Sequence, residues 1–243
     1  MLAIFRKELN TFFSSLIGYI VIGLFLVILG LFMFVFKDTS LLGYGFATLG
    51  PFFSMVPNIF IFIIPAICMR VFAEENQSGA IELLVTRPLR DIEIILGKYF
   101  ACLVLVLFAL LPTLLYYYTV YQLGAPVGNI DAGGTVGSYL GLVFLAMAFV
   151  AIGIFASSLT SNQIVSFLIA TALCFWCYFG FDYLSQLPIF FGRMDAFIQE
   201  LGMLHHFNSL GRGLIDSRDV VYFLSLTAFF IMLTLLVLER RKW

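Results

Sequence analysis

Residues 70–99 read RVFAEENQSGAIELLVTRPLRDIEIILGKY, and the fold turns on where that stretch lies. It carries Arg70, Glu74, Glu75, Glu82, Arg87, Arg90, Asp91, Glu93 and Lys98, about a third of the chain's charged side chains. Apolar runs long enough to cross a bilayer flank it on both sides. The stretch therefore leaves the membrane and re-enters it on the same side. Ser78 and Gly79 are placed to open a short surface helix, since a Ser side chain accepts from free backbone N–H groups. Ala80, Ile81, Leu84 and Val85 fall on one side of that helix, and Glu82 and Thr86 on the other. Pro88 stops it, because the residue before a proline is pushed out of the helical region. Asp91 then favours the N-terminus of the next helix. Such a helix either rests on lipid headgroups or is presented to a cytosolic partner. Periodicity is the same in both cases.

Outside this stretch the composition is that of a membrane protein. Of the 243 residues 62% are hydrophobic and 11% charged, where a soluble domain is nearer a quarter charged. The mean hydropathy is +1.07. The expected fold is an all-α polytopic bundle forming one transmembrane domain over residues 1–243. Its six spans are expected at about 16–36, 51–72, 94–118, 136–157, 164–183 and 220–238. A net charge of −1 argues against nucleic acid as a partner. Arg6, Lys7 and Glu8 precede a span-length run with no suitably placed cleavage site, so the start is read as retained rather than as a secretory signal.

Ahead of the first span, Leu2, Phe5, Leu9, Phe12 and Phe13 follow helical spacing with Arg6, Lys7, Glu8 and Asn10 between them. An interfacial amphipathic helix is expected there. Pro57 and Pro65 fall inside the second span, where proline often kinks a helix. Met194, Phe197, Ile198, Leu201 and Leu204 have helical spacing in the loop before the sixth span, so a second amphipathic helix is expected on the far surface. Six spans put both termini on one side. That side holds Arg6, Lys7, Arg70, Arg87, Arg90, Lys98, Arg240, Arg241 and Lys242, whereas Lys37, Arg193, Arg212 and Arg218 lie on the other. The positive-inside rule assigns the richer side, and both termini, to the cytosol.

The candidate chemistry is sparse. Cys174 and Cys177 form a C-x-x-C in the middle of an apolar span, without the strand–helix context of a redox motif. They read as small hydrophobes. His205 and His206 are adjacent, about 100° apart on a helix, which suits interfacial hydrogen bonding better than metal binding. Gly137 and Gly141 form a GxxxG, a weak signal for close helix packing. Ionisable groups are nearly absent from the spans, against a proton or ion path. No G-x-x-x-x-G-K-[ST] occurs, so ATP is not hydrolysed by that route. No span shows the clustered carboxylates or the Ser/Lys or Ser/His dyad of an intramembrane enzyme.

The run EENQSGAIELLVTRP from Glu74 to Pro88, followed by RDIEIILGKY from Arg90 to Tyr99, resembles the cytosolic loop of ABC-type-2 permeases. In that family a glutamate-rich exit from the second span leads to G-[TA]-[IL]-E-x-L-x-[TS]-x-P and then to a lysine opening the third span. The match falls on Glu74, Glu75, Gly79, Ile81, Glu82, Leu84, Thr86, Pro88 and Lys98. Ala80 stands where Thr is commoner. HFNSLGRGLIDSRDVVYF, from His206 to Phe223, resembles the family's outer segment at Phe207, Arg212, Gly213, Asp216, Asp219 and Tyr222. Within the family the chain resembles the gliding-motility-associated permease subunits of Bacteroidota.

The resemblance implies a type V exporter-like permease of the bacterial inner membrane. Two permease chains, identical or not, would dock on two cytosolic ABC ATPase subunits. This chain would bind no cofactor, ATP and Mg being held by the ATPase. A coupling helix of Gly79, Ile81, Glu82, Leu84, Val85, Arg87 and Pro88 would seat in a cleft of the ATPase, with Glu74, Glu75, Arg90 and Lys98 as flanking charges. The alternative is a membrane anchor or force-transmitting component without a transported substrate.

Overall fold

The computed structural model of the chain describes residues 1–37, 39–41, 43, 45–79, 90–188, 192, 194–213 and 216–240. The protein is all-α. Among the described residues six helical runs are long and apolar enough to cross a membrane: Gly18–Val35, Gly50–Ser78, Asp91–Leu123, Ala132–Leu159, Gln163–Ser185 and Ser217–Arg240. A span needs about 20 apolar residues, and each expected segment lies on one of these runs. Several run past the expected ends, because the helices continue beyond the apolar stretch that sequence reveals.

The elements in order are α1 (Leu2–Ser14), α2 (Leu16–Gly30), α3 (Gly50–Cys68), α4 (Arg70–Ser78), α5 (Asp91–Leu110), α6 (Leu114–Leu123), α7 (Ala132–Leu159), α8 (Gln163–Phe175), α9 (Phe181–Ser185), α10 (Asp195–Glu200), α11 (Met203–Leu210) and α12 (Ser217–Arg240). Local sequence accounts for several starts. The Asp131 side chain accepts from Gly134 N–H at 3.0 Å and opens α7. Asn162 Oδ1 accepts from Ile164 N–H at 2.9 Å and opens α8. Both are preferred N-cap types. Asp91 and Glu93 lie in the first turn of α5, where negative charge offsets the helix dipole.

Three spans contain a local change of helix type. A π-helical turn, Leu31–Val35, ends the first. The carbonyls it leaves are taken by Thr39 Oγ1, which donates to Phe32 O at 2.6 Å, and by Leu41 N–H, which donates to Met33 O at 2.9 Å. A 3-10 turn, Leu111–Thr113, joins α5 to α6 at Pro112, which has no N–H to continue the ladder. Tyr139 on α7 donates to Thr113 O there at 3.1 Å. A second π turn, Trp176–Gly180, joins α8 to α9. A Cβ at Gly180 would lie 2.8 Å from the Trp176 ring, so the turn requires glycine. By contrast, α3 runs unbroken through Pro57 and Pro65. The second span breaks only at Met69.

The helix α7 is the axis of the bundle. It packs against α3, α5, α8, α11 and α12, and 72% of its apolar window is buried, against 22% for the first and last spans. The first, fifth and sixth spans present large apolar side chains outward, including Ile20, Val27, Leu168, Trp176, Phe229 and Met232. Inside lipid this exposure has no hydrophobic penalty. At one end of the bundle lie α1, α4 and the start of α5. At the opposite end lie α10, α11 and the start of α12.

Candidate functional site at the α1 end of the bundle

The two helices that flank residues 80–89 are tied together by a buried lysine. Lys98 is about two turns into α5 and only 1% exposed. Its ammonium donates to Glu8 and to the Val71 carbonyl and forms an ion pair with Glu75 without a hydrogen bond to Oε2. Glu75 Oε2 on α4 lies 2.9 Å from Nζ, Glu8 Oε1 on α1 lies at 3.2 Å, and the Val71 carbonyl on α4 accepts at 2.7 Å. The Phe72 ring lies beneath Nζ, 4.9 Å to its centroid. Lys7 completes the group, 3.1 Å from Glu75 Oε1 and 3.6 Å from Glu8 Oε1. Two cations and two carboxylates make a neutral cluster. Burial draws the Lys7 pKa down, but Glu75 and then Glu8 outweigh it and hold the ammonium above its ordinary range. The Lys7 contribution is thus complete below the ordinary lysine value of 10.5 and is lost only as pH rises through the raised one.

Close approach makes this possible. A Cβ at Gly97 would meet Ile4 at 3.1 Å and the Met1 carbonyl at 3.2 Å, so α1 sits directly on α5 at a glycine. Arg70 at the head of α4 lies over the Phe12 ring at 4.6 Å and donates to Ser15 Oγ at 3.4 Å. The face of α1 that is buried carries Ile4, Glu8 and Phe12. The expected apolar stripe was Leu2, Phe5, Leu9, Phe12 and Phe13, and of these only Phe12 is buried, while Leu2 is exposed. The acid at position 8 is in the core because Lys98 awaits it there. The clue lay in the spacing: Ile4, Glu8 and Phe12 are four apart, which puts an acid in line with two apolar side chains.

A serine repairs the break in the second span. In a continuous helix Phe72 N–H and Ala73 N–H would bond the carbonyls four residues back. Instead both donate to Ser157 Oγ on α7, at 3.0 and 3.1 Å, and the hydroxyl donates to Met69 O at 3.0 Å. Asn76 Nδ2 adds a bond to Thr160 O at 3.1 Å. The α4 extension is thereby fixed to the end of α7. Replacing Ser157 by Ala strands two buried N–H groups and is expected to cost about 1–3 kcal/mol. The check is the denaturation midpoint in mild detergent, where a change near zero would mean that water reaches the break.

The other expected site residues distribute as follows. Gly79 has φ +71 and closes α4. Ser78 Oγ donates back to Glu74 O at 2.9 Å. The pair therefore ends a helix where the sequence suggested the opening of one, because a left-handed glycine is the common C-terminal cap. Glu74 and Arg90 are exposed and Glu75 is half-buried. Lys98 is a core residue rather than a loop charge. Ile81, Glu82, Leu84, Val85, Arg87 and Pro88 lie outside the described residues.

At the opposite end the expected single helix over 194–204 is two, α10 and α11, divided at Leu201 and Gly202, where the backbone of Gly202 turns extended. His206 staples them to α12. Its Nδ1 lies 2.6 Å from Asp219 Oδ1, its Nε2 lies 2.7 Å from Glu200 O, and its ring stacks on Tyr222 with centroids 3.9 Å apart. Phe207 is buried against Gly141, 3.2 Å from a Cβ built there. Asp216 Oδ1 accepts from Arg218 N–H at 2.9 Å ahead of α12. Gly213 has φ +81 and abuts Gly133 and Gly134. Arg212 is exposed at a cavity of about 370 Å³ that is also lined by Ser54, Asn58 and Tyr178. Cys174 and Cys177 are free thiols. Among the described residues no three His, Cys, Asp or Glu side chains are grouped to hold a metal ion.

The model of the family described as ABC-2 family transporter protein matches residues 2–243. Comparison with curated proteins finds no match.

Proposed function

The chain belongs to the ABC-2 family of transporter proteins, as a multi-pass membrane permease component without an ATPase domain, and from that premise we propose that it is the permease of an ATP-driven exporter. Permeases of this family generally pair with ABC ATPase subunits. In this reading two ATPase copies sit at the α1 end, which is the cytosolic side of a bacterial inner membrane, with both termini there. The segment after Gly79, residues 80–88, is the coupling helix: Ile81, Leu84 and Val85 plug a cleft in the ATPase, and Glu82, Arg87 and Arg90 orient it. ATP and Mg belong to the ATPase.

The observation that carries the reading is the anchoring of both flanks of that segment. The cluster at Lys98 binds α4 to α5, and Ser157 binds α4 to α7. A push on residues 80–89 therefore reaches the second and third spans rather than dissipating in a loose loop. A second permease chain is supported by Asn58. Its side chain is exposed in the middle of an apolar span and donates to Ser54 O at 2.8 Å. Polar side chains inside a membrane face the protein interior or a watery cavity, so a second chain or the substrate path covers this face. Service in gliding motility is the finer reading that the family resemblance suggests.

The test is a mild-detergent pull-down of the tagged chain from its native membrane, with mass spectrometry and an ATPase assay. A stoichiometric P-loop ATPase is expected, and it is lost on replacing Glu82 and Leu84 together by Ala. A chain recovered without a nucleotide-binding partner would overturn the reading. ATP-dependent accumulation of substrate in inverted vesicles then separates an exporter from a force-transmitting anchor, which hydrolyses ATP without accumulating anything.

A further inference from the structure

The two contacts that hold His206 need one proton more than a neutral ring beside a carboxylate supplies. Nδ1 lies 2.6 Å from Asp219 Oδ1 on α12, and Nε2 lies 2.7 Å from the Glu200 carbonyl that ends α10. Both partners are acceptors, and a neutral imidazole has a single N–H. With Asp219 ionised, neutral His206 leaves a lone pair facing an oxygen at one of the two contacts. The arrangement closes when the ring carries both protons, or when one sits on Nε2 and the other on the carboxyl. Either way the pair holds two protons in place of one. Asp219 is 4% exposed, and its buried Oδ2 has no hydrogen-bond partner among the described residues.

Few other titratable groups surround the ring. On α11 the His205 ring is exposed and stands edge-on, with centroids 5.5 Å apart. On α12 Tyr222 stacks on His206, and its hydroxyl donates to Leu201 O at 2.7 Å. Asp216 and Arg218 at the head of α12 are exposed, as is the Glu200 side chain; Asp195 at the start of α10 is half-buried. The helix α7 carries no charged residue, and its one tyrosine, Tyr139, bonds Thr113. The π turn adds Cys177 and Tyr178, the latter packed against Phe207. Among the described residues Asp219 is ion-paired with His206 alone.

We infer that the His206–Asp219 pair is a proton-operated latch: with its extra proton it holds α10 against α11 and α12, and loss of that proton releases α10 at the joint formed by Leu201 and Gly202. The joint is where α10 ends and the extended backbone of Gly202 leads into α11. Two stacked rings grip it, His206 at Glu200 O and Tyr222 at Leu201 O. Disturbing one grip therefore disturbs the other. The joint is continuous with α11, whose Leu204, Phe207 and Asn208 line the cavity of about 370 Å³, so the latch sits on a wall of that cavity. The closed joint binds one more proton than the open one, so opening is favoured as pH rises, by up to about tenfold per pH unit. Histidine suits such a switch because it changes charge near neutral pH. The latch needs no ATPase and stands apart from the permease reading.

Spin labels on Ala196→Cys and Asn129→Cys, both exposed, report α10 against the loop ahead of α7. Cys177→Ala removes the half-buried native thiol. Distances are measured on the full chain in lipid nanodiscs, in a series from about pH 5 to about pH 9. In the parent a single narrow distance is expected at low pH, giving way to a broad distribution as pH rises. His206→Gln is expected to remove the pH dependence, and His205→Gln to behave as the parent. Asp219→Asn is expected to stay closed at high pH, because its amide donates to neutral Nδ1 while the Nε2 proton still reaches Glu200 O. A merely structural ion pair requires the reverse, an open joint in Asp219→Asn at every pH. The latch is overturned if the parent distance does not change across the series, if His206→Gln responds as the parent does, if His205→Gln abolishes the response, or if Asp219→Asn opens. Where His206→Gln does not fold, Asp219→Asn decides in the same way.

Discussion

Lys98→Met is expected to lower the stability of the protein by about 3–5 kcal/mol, the usual cost of removing one partner from a buried ion cluster. The side chain is nearly isosteric with the lysine stem, so little packing is lost, and the effect isolates the charge. Without the ammonium, Glu8 and Glu75 face each other with only the exposed Lys7 between them. The Val71 carbonyl also loses its donor. Lys98→Arg is not expected to restore stability. The guanidinium is a planar fork, whereas the oxygens of Glu8, Glu75 and Val71 surround a compact ammonium on a fully buried stem. Restoration is expected instead from the triple variant Lys98→Met, Glu8→Gln, Glu75→Gln, since replacing a whole buried ion group is often neutral. The measurement is the unfolding midpoint in one detergent. For a domain of this size a loss of that magnitude lowers the midpoint on the order of 10 °C. A single Met variant within about 0.5 kcal/mol of the parent, the scatter of surface substitutions, would show that the cluster is hydrated.

The spans were legible in the sequence for a simple reason. In lipid every backbone group must be satisfied within the helix, so a run of about 20 apolar residues has one available structure. The position of α1 was legible too, but its inward face was not. Leu2, Phe5 and Leu9 mark an apolar stripe, while burial follows Ile4, Glu8 and Phe12 because a cation on a distant helix stabilises an acid there. Lys98 was legible as a charge near the start of a span. Its burial was not, because it depends on α1 covering α5 at Gly97. Ser157 gave no signal, since its role exists only where the second span breaks. Ser78 and Gly79 read as the start of a helix, and the left-handed backbone at Gly79 makes them the end of α4 instead. The coupling role of Ile81, Glu82, Leu84, Val85, Arg87 and Pro88 stands on the family resemblance, since these residues lie outside the described ones.

Gly137→Leu is expected to unseat the helix α11 at the opposite end, with a loss of about 3 kcal/mol or more, beyond ordinary overpacking. The GxxxG of Gly137 and Gly141 is a weak pattern by itself, but here it receives α11. A Cβ at Gly137 would run into the Leu210 carbonyl oxygen and stand 3.2 Å from Gly213 Cα. Both are backbone atoms, so no side-chain rotation relieves the clash. At Gly141 the neighbour is the Phe207 ring at 3.2 Å, which has some freedom to shift, so Gly141→Ala is expected to cost less than Gly137→Ala. Once α11 lifts, His206 loses its position between Asp219 and Glu200 O, and Asp219, 4% exposed, loses its partner. Hydrogen exchange should therefore rise across residues 195–213 in Gly137→Leu and remain low at the α1 end, where no contact has changed. Retention of the ATPase by this variant is also expected, because the Lys98 cluster lies at the other end of α5. Unchanged exchange over 203–210 would mean that α11 is held by α12 alone, and that the glycines of α7 are there for another helix.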